Sequence, residues 1–148
     1  MDRGEKRFLN IIDYIFPLIK NHVVANQVYN TKILKTTPQD MTKLPLIVVE
    51  EIDDFLVDRT LSYTQEKFKK VIEVNIYATD IPQANSTVAK QQVADRLKIL
   101  VDDVLGTQCH MTRISCSETP NADYNIFRYT MRYRCLVDKD YNIYGGRV

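Results

Sequence analysis

The sequence predicts an α/β chain of the α+β kind: a single mixed, mainly antiparallel sheet of four to five strands with two helices packed on one face. Three stretches carry that expectation. From residue 127 to 137 the side chains alternate, with Phe127, Tyr129, Met131, Tyr133, Cys135 and Val137 on one face and Arg128, Thr130, Arg132 and Arg134 on the other. That is the period of a long half-buried strand with an apolar underside and a basic top. Residues 88–104 place Val88, Ala89, Val93, Leu97, Leu100, Val101 and Val104 on one helical stripe, with Gly106 as a C-terminal stop. The run L-P-L-I-V-V-E-E-I at 44–52 is continuously apolar and β-branched, which suits a strand buried on both faces.

The chain has 148 residues, the size of one domain spanning 1–148 and enough to bury a core. Its 45% hydrophobic and 26% charged content is that of an ordinary globular protein. A formal net charge of +1 gives no global field, so any basic feature is local. Cys109, Cys116 and Cys135 are odd in number, and the first two fall on opposite faces of a predicted strand. All three therefore read as reduced thiols of an intracellular product. No secretory leader or membrane span is expected, because the apolar run at 8–19 is short and broken by Asn10, Asp13 and Pro17. Four glycines argue against phosphate-cradling loops.

Along the chain, residues 3–15 carry Phe8, Ile11, Ile12 and Ile15 at helical spacing, with Asp2 as N-cap, Glu5 three residues on, and Pro17 where the helix should bend or stop. Residues 21–43 read as irregular. Two readings stand: a surface connection with a short strand near 31–34, or an arm that orders only in an assembly. Strands are expected at 44–52, at 55–63 and at 68–79. In the last, Phe68, Ile72, Val74, Ile76 and Ala78 oppose Val71, Glu73, Asn75 and Tyr77. Short polar turns between them predict an antiparallel meander. Asp80, Asn85 or Ser86 should cap the second helix, with Pro82 in its first turn. A strand at 107–117, a turn and the arginine strand follow. The tail at 139–148 either frays or docks on a neighbour.

No catalytic, metal or cofactor constellation emerges. His22 and His110 are the only histidines, and C-H-x5-C from Cys109 to Cys116 is not a zinc spacing. Glu50, Glu51, Asp53, Asp54 and Asp58 lack the glycine and ligand period of a calcium loop, so they read as a solvated turn or an ionic interface. Nucleotide loops and nucleophile elbows are absent. The expectation is a non-enzyme without cofactor. Arg113, Arg128, Arg132 and Arg134 form the candidate patch, either a solvated face with a few salt bridges or a surface that meets something acidic. Near-neutral charge and the lack of a reading motif weigh against sequence-specific nucleic-acid binding.

Four stretches together resemble the tail terminator, or tail completion, proteins of tailed bacteriophages. They are K-L-P-L-I-V-V-E-E, the strand ending V-I-E-V-N-I-Y-A, the helix A-K-Q-Q-V-A-D-R-L-K-I-L-V-D-D-V-L-G and the closing N-A-D-Y-N-I-F-R-Y-T-M-R-Y-R. The resemblance spans residues 44–138. It implies a virion protein of the tail and neck, assembled in the host cytoplasm. In that role a ring of six subunits stops tail-tube polymerisation, binds tube protein on one side and neck or connector proteins on the other, and lets genomic DNA pass. Residues 21–43 and 139–148 have no counterpart in it. Two roles for the arginines follow: pairing with the acidic residues 50–58 of the next subunit, or lining the channel against phosphates without sequence preference. The alternatives are another neck component, such as a head-completion or tail-to-head joining protein that can form twelvefold rings, and a small α/β enzyme or ligand-binding module.

Overall fold

Strand-forming apolar runs and one strong helical stripe assemble as the periodicities predict, into a mixed α+β fold. The computed structural model describes residues 11–26, 29–38, 44–59, 66–120 and 125–138, with backbone alone at 53–59, 66–68 and 138. Helix α1 (Ile11–Ala25) leads to β1 (Lys32–Leu34), β2 (Leu46–Arg59) and β3 (Glu66–Ala78). The two-residue strands β4 (Ile81–Pro82) and β5 (Thr87–Val88) precede α2 (Lys90–Asp102) and a π-helical turn (Asp103–Gln108), then β6 (Thr112–Glu118) and β7 (Phe127–Asp138). The main sheet has five strands in the order β1-β2-β3-β7-β6. Only β1–β2 is parallel among its pairs.

Both helices lie on one face, because a single core cluster joins them to alternate residues of the sheet. From α1 come Ile11, Ile15, Ile19 and Val23, and from α2 Val93, Leu97, Leu100 and Val101. The sheet adds Ile47, Val49, Ile72, Val74, Ile76, Met131 and Tyr133, all with no exposed surface. Phe127 and Tyr133 belong to this core and Tyr129 packs against it, so the aromatic underside of the last strand faces the helices as expected. The opposite face keeps a smaller cluster of Leu46, Val48, Tyr77 and Ile126. Residues 46–49 are therefore buried on both sides, as their unbroken hydrophobicity requires.

Several boundaries differ from the sequence reading. Helix α1 does not stop at Pro17 but continues to Ala25, taking in residues assigned to the irregular segment. A mid-helix proline costs ~3 kcal/mol, whereas burying one isoleucine returns ~1.5–3 kcal/mol, and Ile19 and Val23 beyond the proline continue the buried line of Ile11 and Ile15. The expected caps Asp2 and Glu5 lie outside the described residues. Tyr29 and Asn30 adopt left-handed φ values of 52° and 54°, turning the chain into β1. There Lys32, Ile33 and Leu34 pair in parallel with Leu46, Ile47 and Val48. Within 21–43 the structure thus has the short strand expected near 31–34, while residues 21–25 belong to α1.

The expected strands at 44–52 and 55–63 are one strand, β2, antiparallel to β3. Bulges between Glu51 and Asp53, and between Leu56 and Asp58, reset its alternation, which is why it reads as two pieces in sequence. Helix α2 begins at Lys90, not Val88, and Asp80 caps it from across the β4–β5 hairpin: its Oδ1 accepts from Lys90 N at 2.8 Å. Pro82 sits in β4 rather than in the first helical turn. Gly106 does not end the helix either. The chain widens into the π-helical turn, Cys109 N donates to the Val104 carbonyl at 2.9 Å, and both Val104 and Leu105 are fully buried. Strand β6 therefore starts at Thr112, and buried Cys109 precedes it instead of lying on it.

Candidate functional site

On β7 the underside is committed to the core, which leaves Arg128, Thr130, Arg132 and Arg134 on the face away from the helices. Pairing with β3 sets Arg128 opposite Tyr77, Thr130 opposite Asn75, Arg132 opposite Glu73 and Arg134 opposite Val71. Pairing with β6 sets Thr130, Arg132 and Arg134 beside Ser117, Ser115 and Thr112. The result is a polar ladder across three strands.

Asn75 is the hub of the ladder, and only 4% of it is exposed. Its Oδ1 accepts from Arg128 Nε at 3.1 Å, Arg128 Nη2 at 2.9 Å and Thr130 Oγ1 at 2.7 Å. Its Nδ2 donates to Glu73 Oε1 at 2.9 Å, and Glu73 Oε2 accepts from Arg132 Nε at 3.2 Å. Arg128 also lies over the Tyr77 ring, 5.2 Å from its centroid. The Thr130 hydroxyl, spending its proton on Asn75, accepts from Thr119 Oγ1 at 2.6 Å. A buried amide satisfied on both ends fixes the register of its neighbours, because an unpaired buried donor or acceptor costs ~1–3 kcal/mol. Among the described residues Arg134 Nε is buried without a hydrogen-bond partner, and the Arg132 side chain keeps 51% of its surface exposed.

The structure divides the predicted charges between the two faces. Glu50 stands opposite Glu73 on the arginine face and accepts from Thr37 Oγ1 at 3.4 Å. Glu51 is on the helix side, where Lys70 Nζ donates to it at 3.0 Å. Asp53 and Asp54 take register positions beside Val71 and Lys70; their side chains, like that of Asp58, lie outside the description. Arg113 does not join the other arginines. It pairs across from Tyr133 on the helix face, and its Nη1 donates to Asp102 Oδ2 at 2.7 Å, while the Tyr133 hydroxyl donates to Asp102 Oδ1. Counting by twos back from Ser117 would put Arg113 opposite Arg134 on the arginine face; a bulge between Arg113 and Ser115 turns it to the other. No hydrophobic pattern announces that extra residue.

Two thiols and two tyrosine hydroxyls beneath the sheet are held protonated. Burial pushes the Cys109 thiol up to about 11, and burial with the neighbouring Cys109 pushes Cys135 up to about 12. The bond to Asp95 raises the Tyr129 hydroxyl to about 12, and burial followed by the bond to Asp102 raises Tyr133. Thiols kept protonated to this degree are poor nucleophiles at neutral pH. Among the described residues no three His, Cys, Asp or Glu side chains converge as metal ligands. What the arginine face can do is associate, by charge and by hydrogen bonds. Glu73, Asn75 and Tyr77, which complete that face, were legible only as polar alternation on a strand. The one usable signal is Asn75 itself, a residue type depleted from strands, placed amid Val74, Ile76 and Tyr77.

Neither protein-family models nor curated proteins yield a match to this chain. No helix among the described residues is long and apolar enough to cross a membrane.

Proposed function

We propose that the chain is a ring-forming structural subunit of a phage virion, the terminator that caps the tail tube and joins it to neck proteins, and that it works without catalysis. The observation that carries this reading is the division of the sheet. Both helices take one face, while the other presents an organised arginine ladder whose outermost member, Arg132, is half in solvent. The strand that bears it, with the strand and helix before it, supplies the stretches that resemble the tail terminator family. An exposed ion pair such as Arg132–Glu73 adds only ~0–1 kcal/mol to a fold, so that charge is affordable to spend on a partner.

The mechanism is geometric. A head-to-tail contact between identical subunits closes into a ring when the rotation it imposes closes. One side of the ring matches the last turn of the tube and the other does not, so growth ends there and neck proteins bind the unmatched side. DNA passes through the lumen.

Native mass measurement and electron micrographs test this directly. A ring of six is expected, and it should arrest polymerisation of tail-tube protein. A ring of twelve would assign the chain to a head-completion or joining component instead. A monomer that leaves tube growth unaffected would overturn the reading. Arg132→Glu then separates two roles: loss of rings places Arg132 between subunits, whereas intact rings with disturbed DNA retention place it in the channel.

A further inference from the structure

Strand β6, at one edge of the sheet, and β2, which runs past the short edge strand β1 on the other side, both carry bulges, and at the β6 bulge and the first of the two on β2 the extra residue is an exposed isoleucine. On β2 the pairing steps from Glu51 to Asp53, leaving Ile52 with 38% of its surface exposed. On β6 it steps from Arg113 to Ser115, leaving Ile114 with 50% exposed. Strand β1 covers β2 only at Leu46, Ile47 and Val48, and β6 ends the sheet on the other side. Among the described residues, Ile52 and Ile114 therefore stand at opposite edges with no strand beside them.

Edge strands are ordinarily protected by charges, prolines or bulges that turn the edge away from pairing. These bulges do the twisting yet present a large apolar side chain, the opposite of what protection alone needs. The flanking charges differ in sign. Strands β2 and β3 together hold seven acidic and four basic residues, whereas β6 and β7 together hold four arginines and two acidic residues. Arg113 and Arg132, with 42% and 51% of their side chains exposed, lie on either side of the β6 bulge, one on each face of the sheet. One edge is thus acidic around an isoleucine and the other basic around an isoleucine.

We propose that the partner for each edge is a second copy of this chain, with the Ile114 edge of one subunit seated against the Ile52 edge of the next. The bulges interrupt the ladder, so side chains rather than a continuous run of backbone hydrogen bonds carry the contact: an apolar pair flanked by opposite charges. Two different edges make the contact heterologous, the kind that closes a ring. This rests on the ring reading above and names its interface. It also revises the charge pairing expected from sequence, because Glu51 and Arg113 already hold partners within the subunit and only part of their charge faces outward.

The test uses Ile52→Glu and Ile114→Glu in the full chain, with association followed by native mass and sedimentation. Each variant alone should fall from ring to subunit mass, weakening association roughly 10- to 100-fold, as expected when burial of one isoleucine is lost. Mixed in equal amounts, the two should form heterodimers and nothing larger, since each retains one intact edge. Ile99→Glu, on α2 and 50% exposed, should leave the ring unchanged. As a second measurement, a chain carrying both Ile52→Cys and Ile114→Cys should cross-link between copies on mild oxidation. Rings that survive both glutamate variants, or a mixture that gives no heterodimer, would overturn the edge assignment and leave the ring reading standing. A wild-type chain that stays monomeric at high concentration and beside tail-tube protein would overturn both.

Discussion

The two faces of β7 are built on different physics. Beneath the strand, Met131, Tyr133 and Cys135 are buried in the core cluster that also holds residues of α1, α2 and the π-helical turn, and position there is set by volume and burial. Above it, Arg128, Thr130 and Arg132 are held by directed bonds to Asn75 and Glu73, and position is set by hydrogen-bond geometry. On the first face a change in size costs stability in proportion to the volume emptied or added. The second tolerates changes toward its exposed end and none at its buried hub. One strand thus fixes the fold with one set of side chains and offers charge to a partner with the other.

Substitutions along the strand should grade accordingly. Tyr133→Ala, emptying a fully buried site, should cost ~3–5 kcal/mol in denaturant unfolding. If it cost no more than a surface change, the helix-covered face would not be the organising core. On the other face, Asn75→Ala should cost ~2 kcal/mol, because Arg128 and Thr130 lose their shared acceptor and Glu73 a donor. A near-neutral result would mean that water satisfies those groups and that the ladder is less rigid than its distances imply.

Alkaline titration separates the faces in another way. Cys109 and Cys135 ionise ordinarily near 9.0 but are pushed up to about 11 and about 12 in the fold. Once the pH passes the unfolded value, the unfolded chain releases these protons and the folded chain does not, so stability falls as pH rises. Their contribution is complete below pH 9 and disappears on the way to about pH 12. Cys135→Val should flatten that decline, measured as unfolding midpoints across the same range, while substitutions on the arginine face should not. The smallest effect belongs to Arg132→Ala, expected within ~0.5 kcal/mol of wild type in stability. A loss near that of Asn75→Ala would show that Arg132 is structural, and would weaken its case as a contact for partners.

Much of this architecture is legible from hydrophobic period alone. The alternation of Phe127 to Val137, the unbroken run at 46–49 and the stripe Val93, Leu97, Leu100, Val101 each name a face, and each faces the core as read. At Pro17 and Gly106 the local stop signal is outweighed by buried side chains beyond it, whereas Val88 is drawn out of the helix by pairing with Ile81 in the β4–β5 hairpin. The candidate site was half legible. Its arginines are visible, but their assignment to one patch failed at Arg113, and the acidic segment split between faces at Glu50 and Glu51.

By itself, the sequence determined which residues are buried, because burial follows from side-chain chemistry repeated at a strand or helix period. It thereby set the class of fold. Only the tertiary structure decided which polar groups meet. Asn75 reaches Arg128 across 53 positions of sequence, and Tyr133 and Arg113 converge on Asp102, through pairings between strands that no local pattern records. The bulges at Ile52 and Ile114 belong to the same category, since a single inserted residue shifts every later side chain to the other face while leaving composition and local propensity unchanged.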